Sequence, residues 1–224
     1  MKSPQVVSFR PPARLLTLLA SLSLAWGLGP AQAVAFGSLN VTPRGAQNLN
    51  LETGFTELPG GGTATDAKGG LTLSAEKMQL RQGERLNAQG ATLKTRQGGT
   101  LSAAQLTYDL KSGTVTASGG VTYSDARIRG LQAPGLTLHV GSGFVVASGG
   151  VRASGPALTG AALVFDPQTM QAVVSGPFDL QTRLGRSAGK AGERLLLTFA
   201  GNALTGATAK PTADDLARFS AYLK

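Results

Sequence analysis

The chain has 224 residues, with 21 Lys and Arg against 12 Asp and Glu, a formal net charge of +9, and no cysteine, which excludes a disulfide scaffold. His139 is the single histidine, so a zinc site of His and Cys ligands is excluded by count. Aromatic residues make up 5% of the chain and glycine accounts for 31 residues. The composition therefore predicts one domain with a core of Leu, Val and Ala and with glycine at many turns.

The first residues, 1–33, have the pattern of a secretory signal peptide. A basic start is followed by an apolar-leaning run over residues 15–28 and by the small-x-small site Ala31-Gln32-Ala33. The run is shorter than the roughly 20 residues that a membrane span needs. We therefore predict cleavage near Ala33, with Ala35 as a second candidate site, and export to the periplasm or cell envelope. The alternative is an uncleaved membrane anchor.

Between the predicted cleavage site and residue 69, apolar and polar residues alternate only loosely. Apolar residues at 39 and 41, at 49 and 51, and at Phe55 indicate two or three opening strands. The glycine-rich stretch 59–66 is predicted to be a flexible loop, too irregular to pair.

The central part of the chain repeats a unit that is clearest over residues 100–130. Apolar residues alternate with Thr, Ser, Asp and Gln along 106–110 and 115–123, and the breaks fall at Lys111-Ser112-Gly113 and Gly119-Gly120. This period of two predicts strands with one buried face, joined by glycine turns.

Copies of this unit lie on both sides of it. Residues 145–151 (VVASGGV) repeat 115–121 (VTASGGV), and the first strand of the unit recurs at 73–80 and at 163–167. The spacing is about 28 to 30 residues, a period typical of stacked units that bury their apolar faces against one another.

The end of the chain differs from the repeats. Residues 185–192 are predicted to form a mobile basic loop, and residues 195–199 (LLLTF) a last short strand. Residues 201–224 are assigned to a linker and an amphipathic helix, because Thr212 is a good N-cap and Leu216, Phe219 and Leu223 have helical spacing. We predict that this helix covers the edge of the sheet and limits end-to-end association.

The search for catalytic residues is mostly negative. A Ser-His-Asp triad would have to use His139, and no Gly-x-Ser-x-Gly motif accompanies it. Residues 185–190 are similar to a phosphate loop, but three residues separate the glycines instead of four, and Ala191 stands where Ser or Thr would bind magnesium. Asp109 and Asp166 each follow an aromatic residue at the start of a turn, where a short carboxylate accepts backbone amides. We predict no enzyme, no metal and no cofactor.

The positive charge does not predict a nucleic-acid partner. The basic residues are spread along strands and loops without interleaved aromatic residues: Arg81, Arg85, Lys94, Arg96, Arg127, Arg129, Arg183 and Arg186. A basic surface that faces an anionic membrane or glycolipid and a merely solvated surface both remain open.

Residues 101–109 (LSAAQLTYD) and 113–121 (GTVTASGGV) resemble the repeat of the OstA-like family, which includes the periplasmic LptA bridge of lipopolysaccharide transport and the N-terminal domain of LptD. The resemblance covers about residues 70–184 and is strongest over 101–151. It implies an all-β fold over residues 34–200, an open-sided antiparallel β-jelly roll of stacked repeats, followed by the short helix. It also implies lipopolysaccharide or another envelope glycolipid as the ligand, and other OstA-like or Lpt proteins as partners by edge-strand pairing.

The sequence thus predicts an exported protein that carries acyl chains in an apolar groove. The inward residues assigned to this lipid groove are Leu106, Tyr108, Val115, Ala117, Val121, Tyr123, Leu136, Leu138, Val145, Ala147, Val151, Phe165 and Val174. Small residues among them leave room for a ligand. The rival interpretations are a structural or adhesive β-solenoid of the cell envelope with a closed interior and no ligand, and a β-helical polysaccharide lyase.

Overall fold

The computed structural model describes residues 33–36, 38–183 and 185–223. The predicted signal peptide lies outside these residues except for Ala33, so its cleavage stays a prediction. Within the described part of the chain, no helix has the length and apolar character needed to cross a membrane.

The described residues form an antiparallel sheet of 18 strands followed by one short helix. The strands are β1 Val34–Phe36, β2 Leu39–Pro43, β3 Asn48–Leu49, β4 Thr56–Leu58, β5 Gly62–Asp66, β6 Leu71–Ala75, β7 Lys77–Arg81, β8 Arg85–Thr95, β9 Thr100–Asp109, β10 Thr114–Ser124, β11 Leu131–His139, β12 Val145–Ser154, β13 Ala157–Asp166, β14 Gln171–Ser175, β15 Phe178–Thr182, β16 Gly185–Gly189, β17 Arg194–Ala200 and β18 Ala203–Ala209. Helix α1 spans Ala213–Leu216 and continues as a 3-10 turn over Ala217–Phe219.

The long strands β8 to β13 bend near their middle, and the bend is visible in their burial. In β9, Leu101 and Ala103 are buried, two exposed residues follow, and Leu106 and Tyr108 are buried again. In β10 the exposed residues at the bend include Gly119 and Gly120, with φ of +78° and +66°. Glycine adopts such backbone angles without steric cost, and the extra residue forms a bulge that turns the strand. Each strand therefore keeps its apolar residues inside on both sides of the bend.

These bends divide the sheet into two halves that face each other across one core. Half A is formed by β1, β2, β5, β6, one end of each strand from β8 to β13, β15 and β16. Half B is formed by β3, β4, β7, the other ends of β8 to β13, β14, β17 and β18. Strand β10, for example, belongs to half B over residues 114–118 and to half A over 121–124. The open-sided antiparallel β-jelly roll is confirmed.

Two glycine-rich segments that were expected to be loops are strands. Residues 62–66 form β5, which pairs with β2 and β6, and residues 185–189 form β16, which pairs with β15. In both strands a neighbour occupies the space of the missing side chain: a Cβ on Gly62 would clash with the backbone at Thr42, and one on Gly189 with the ring of Phe178. The expectation was wrong because backbone pairing needs no apolar alternation, while close approach requires glycine.

The predicted linker at the end of the chain also contains a strand. Residues 203–209 form β18, which pairs with β17 and is the last strand of half B. Its side chains are mostly exposed, so its sequence lacks the alternation of a half-buried strand. This edge position explains why apolar periodicity did not reveal it.

The C-terminal helix lies on the outer face of half B and does not cover the sheet edge, so the predicted edge cap is wrong. Phe219 is completely buried in a second apolar cluster. The other buried members of this cluster are Phe144, which directly precedes β12, and one residue each from the outer faces of β13, β14 and β17: Val164, Val173 and Leu196. These strands carry consecutive apolar residues, so both of their faces are apolar and the outer face needs a cover. The N-cap prediction is confirmed, since Thr212 and Asp215 form a capping box.

Candidate functional site

All the residues assigned to the lipid groove lie on the inner faces of the two sheet halves, in the main apolar core. Each is buried, with at most 5% of its surface exposed. The structure therefore brings them together as one continuous apolar interior. Whether this interior receives acyl chains stays a prediction.

The assigned residues cover the two walls of this interior unequally. Only Val121, Tyr123 and Val151 come from half A, and the others come from half B. The inner wall of half A also contains buried leucines that the sequence analysis did not assign to the groove: Leu73, Leu93, Leu101, Leu131, Leu158 and Leu180. For the leucines of the bent strands, the signal that would have found them is the shift of the alternation by one residue at each bend, as in β9. Leu73 and Leu180 lie in the short strands β6 and β15, where the alternation itself was the signal.

The long side of the interior is closed by a seam, where turns of half A meet turns of half B. Here the Tyr108 hydroxyl of half B donates a hydrogen bond of 2.6 Å to Asp66 Oδ2 of half A. The other carboxylate oxygen of Asp66 accepts the backbone amides of Lys68 and Gly69. Burial, together with the neighbouring Asp66 carboxylate, raises the pKa of Tyr108. The pair joins the two halves through a buried charged hydrogen bond.

Arg127 forms a second contact across the seam. Its guanidinium pairs with Asp125 at 3.2 Å, donates to the carbonyl oxygen of Pro167 at 3.2 Å and lies 5.4 Å from the ring centre of Phe165. Among the described residues, its buried Nε has no hydrogen-bond partner. The pKa of nearby Tyr123 is raised, mainly by burial and to a smaller extent by the Asp125 carboxylate. The seam thus contains polar contacts that join strand ends and turns of the two halves.

At the C-terminal end of the sheet the two halves end in different strands. Half A ends at β16 and half B ends at β18, and these strands are not paired with each other in the described part of the chain. A cleft of about 1050 Å³ lies between them. Its apolar lining includes Leu180, which belongs to the main core, and Leu204, which packs against that core. The cleft therefore borders the apolar core.

Four arginines line the same cleft, together with the apolar residues. Arg127 pairs with Asp125. Arg186 donates to both carboxylate oxygens of Asp179, from Nε to Oδ1 at 2.9 Å and to Oδ2 at 3.1 Å, and from Nη2 to Oδ2. These hydrogen bonds from Arg186 lower the pKa of the Asp179 carboxyl.

The other two arginines, Arg129 and Arg183, have no carboxylate within 4.0 Å among residues 33–36, 38–183 and 185–223. The cleft therefore combines an apolar wall with two uncompensated positive charges.

The residues that the sequence analysis considered as catalytic candidates make packing contacts or stabilise turns. The His139 ring packs against Tyr222 at 4.8 Å, on the side covered by the C-terminal segment. Asp109 accepts the backbone amides of Ser112 and Lys111, which lower its pKa, and Asp166 accepts the amide of Gln168. The prediction that both carboxylates stabilise turns is confirmed. The described residues contain no group of three or more His, Cys, Asp or Glu side chains that could hold a metal ion.

Comparison with known proteins gives one kind of match. No family model and no curated protein matches the chain. Among solved structures, the chain is similar to the crystal structure of LptH, the LptA homologous periplasmic component of the conserved lipopolysaccharide transport device from Pseudomonas aeruginosa. The two share 12% sequence identity, with a TM-score of 0.44, over 50% of this chain and 82% of that chain.

Proposed function

We propose that this protein is an exported, non-enzymatic carrier of lipopolysaccharide or another envelope glycolipid, and that it holds acyl chains between the two sheet halves. The observation that carries the proposal is the cleft between β16 and β18, whose apolar lining includes Leu180 of the core and Leu204, which packs against the core. The predicted signal peptide and the OstA-like resemblance support transport in the periplasm.

The size and lining of the cleft suit an acyl chain. Its volume of about 1050 Å³ is slightly above the usual range of ligand pockets, which is about 300 to 1,000 Å³. Each methylene that leaves water contributes about 0.8 kcal/mol, so about ten of them contribute roughly 8 kcal/mol. This exceeds the lower estimates of the cost of association, about 4 kcal/mol. Chains that enter more deeply have to displace the buried leucines between the halves.

The sheet edges support the proposed protein partners. Strands β16 and β18 each end one sheet half, and each pairs on one side within the described residues. Free backbone groups at such edges recruit further strands. We propose pairing with other OstA-like or Lpt envelope proteins at these edges.

A structural or adhesive solenoid without a ligand is the second candidate. The observation in its favour is the tight burial of the interior, where Val115, Ala147 and Phe165 have no exposed surface. A carrier and a solenoid differ in whether a chain enters the cleft, and this difference is measurable.

The test is photo-crosslinking with a fatty acid that carries a diazirine on its chain. We expect labelling of peptides that contain β15 or β18 in the unmodified protein. Replacing Leu204→Trp puts a bulkier side chain where the cleft meets the core and should reduce this labelling at least about tenfold, because it narrows the passage for the acyl chain. Leu49→Trp is the matched control, since Leu49 is 63% exposed on β3, and it should label like the unmodified protein.

Two results would overturn the proposal. An unmodified protein that is not labelled would favour the solenoid. Undiminished labelling of Leu204→Trp, with an unchanged circular dichroism spectrum and melting temperature, would exclude the cleft as the entry site.

A further inference from the structure

From the charges at the cleft, we infer that its rim binds the phosphate group of an acylated lipid, with Arg129 and Arg183 as the residues that contact the phosphate. The inference rests on the proposed function, because it assigns the headgroup of the lipid whose chains enter the same cleft. It adds the charge and chemical class of that headgroup.

The charge at the cleft is one-sided. Among the residues that the structure describes, its lining contains four arginines and no Asp or Glu. Asp125 and Asp179 neutralise Arg127 and Arg186 from outside the lining. Two positive charges are left over, which matches a phosphate monoester that carries between one and two negative charges at neutral pH.

Arg129 is held in place by the backbone around it. Its amide donates to the carbonyl oxygen of Gly155 at 2.7 Å, and its carbonyl oxygen accepts the amides of Ser154 and Gly155 at 3.0 and 3.1 Å. A Cβ on Gly155 would lie 2.8 Å from Arg129 Nε, so the arginine side chain packs directly on the glycine backbone. A side chain that is already positioned loses less conformational freedom when it binds an anion.

Arg183 and Arg127 complete the basic part of the cleft. Arg183 is exposed and follows the last residue of β15, so its side chain can reach a headgroup at the rim. Arg127 lies deeper, with 11% of its side chain exposed and with a buried Nε that no described residue accepts from. A buried donor without an acceptor favours a ligand that brings oxygen atoms.

The neighbouring apolar residues favour an acylated phosphate over inorganic phosphate as the ligand. Leu180, Leu204 and Ala207 line the same cleft as the arginines. An inorganic anion would leave this apolar wall in water, whereas an acylated phosphate contacts both parts. Guanidinium groups bind phosphate oxygens through paired hydrogen bonds, which a neutral headgroup does not provide.

The test is titration calorimetry with three probes: dioctanoyl phosphatidate, dioctanoylglycerol and inorganic phosphate. We expect the phosphatidate to bind tightest. Arg129→Gln and Arg183→Gln should each weaken its binding about tenfold, as expected for a lost charged hydrogen bond, and should leave the binding of dioctanoylglycerol unchanged. Arg152→Gln is the matched control, because Arg152 is exposed and lies between inward-facing residues of β12.

The outcomes separate this inference from the proposed function. If both acylated probes bind equally and the arginine variants change neither, the headgroup site is wrong and the carrier function stands. If neither acylated probe binds, the carrier function fails as well. If inorganic phosphate binds as tightly as the phosphatidate and the same variants weaken it, the site recognises a free anion and the lipid assignment is wrong.

Discussion

The hydrogen bond between Tyr108 and Asp66 tests whether the seam holds the two sheet halves together. Tyr108 lies on half B and Asp66 on half A, and the donor and acceptor are 2.6 Å apart. Both residues are 5% exposed. Tyr108→Phe removes the hydroxyl and keeps the ring, so it isolates this contact from the packing around it.

The expected loss follows from the burial and charge of the acceptor. A hydrogen bond to a charged group contributes about 1.5 to 3 kcal/mol. Asp66 keeps its two backbone donors, from Lys68 and Gly69, at Oδ1, so only Oδ2 loses its partner. For a domain of this size, 1 kcal/mol corresponds to about 2 to 4 °C in melting temperature. We therefore expect Tyr108→Phe to melt about 3 to 12 °C lower.

The assay is thermal and urea unfolding, with Tyr123→Phe as the matched control. Tyr123 is also 5% exposed, and no hydrogen bond from its hydroxyl occurs among the described residues, so its variant should change stability by less than about 0.5 kcal/mol. A double-mutant cycle of Tyr108→Phe with Asp66→Asn should give a coupling of at least about 1 kcal/mol. A coupling near zero, or equal losses in the two tyrosine variants, would refute the role of the seam.

Three further outcomes are expected. Phe219→Ala should lower the free energy of unfolding in urea by about 3 to 5 kcal/mol, because a buried ring is lost from the outer face of half B; a loss below about 1 kcal/mol would contradict the docking of the helix. Hydrogen bonds lower the pKa of Asp179 and of Asp215, so their contribution to stability is present above the unfolded pKa of about 3.9 and is lost as pH falls further. Replacing both by Asn should make the melting temperature depend less on pH, between about pH 4 and pH 2, than it does in the unmodified protein. An equal dependence in the two proteins would contradict this prediction. The raised pKa of Tyr108 has the opposite effect on the pH dependence of stability. The contribution of Tyr108 to stability is present below its unfolded pKa of about 10 and is lost as pH rises above that value. Tyr108→Phe should reduce this loss of stability at high pH.

The local pattern of the sequence determined which residues point inward in the repeats. Leu106, Tyr108, Val115 and Ala117 alternate with polar residues, and all four are buried where the period of two places them. This succeeds because successive side chains of a strand point to opposite faces, whatever the strand pairs with. The same reasoning predicted the turn role of Asp109, whose carboxylate accepts amides only two and three residues away.

Tertiary structure decided the features that depend on distant residues. Gly189 belongs to a strand because its backbone pairs with that of Phe178 in β15, and glycine is needed there because the Phe178 ring occupies the space of a side chain. No local pattern contains that information. Phe219 was expected to lie on the apolar side of a helix, and it lies in the 3-10 turn that follows α1. Its docking on the outer face of half B depends on Val164 and Leu196, which come from two distant strands.

The cleft is the clearest case of a feature that the sequence could not predict. Arg129 and Arg183 were both read as part of a scattered basic surface, since they are far apart along the chain. The bends of β8 to β13 bring the ends of the two sheet halves opposite each other, and both arginines then line one cleft beside Leu204. The sequence by itself determined the strands and their inward faces, because alternation is local. Only the tertiary structure decided which charges meet at the open end, because that depends on how the two sheet halves fold onto each other.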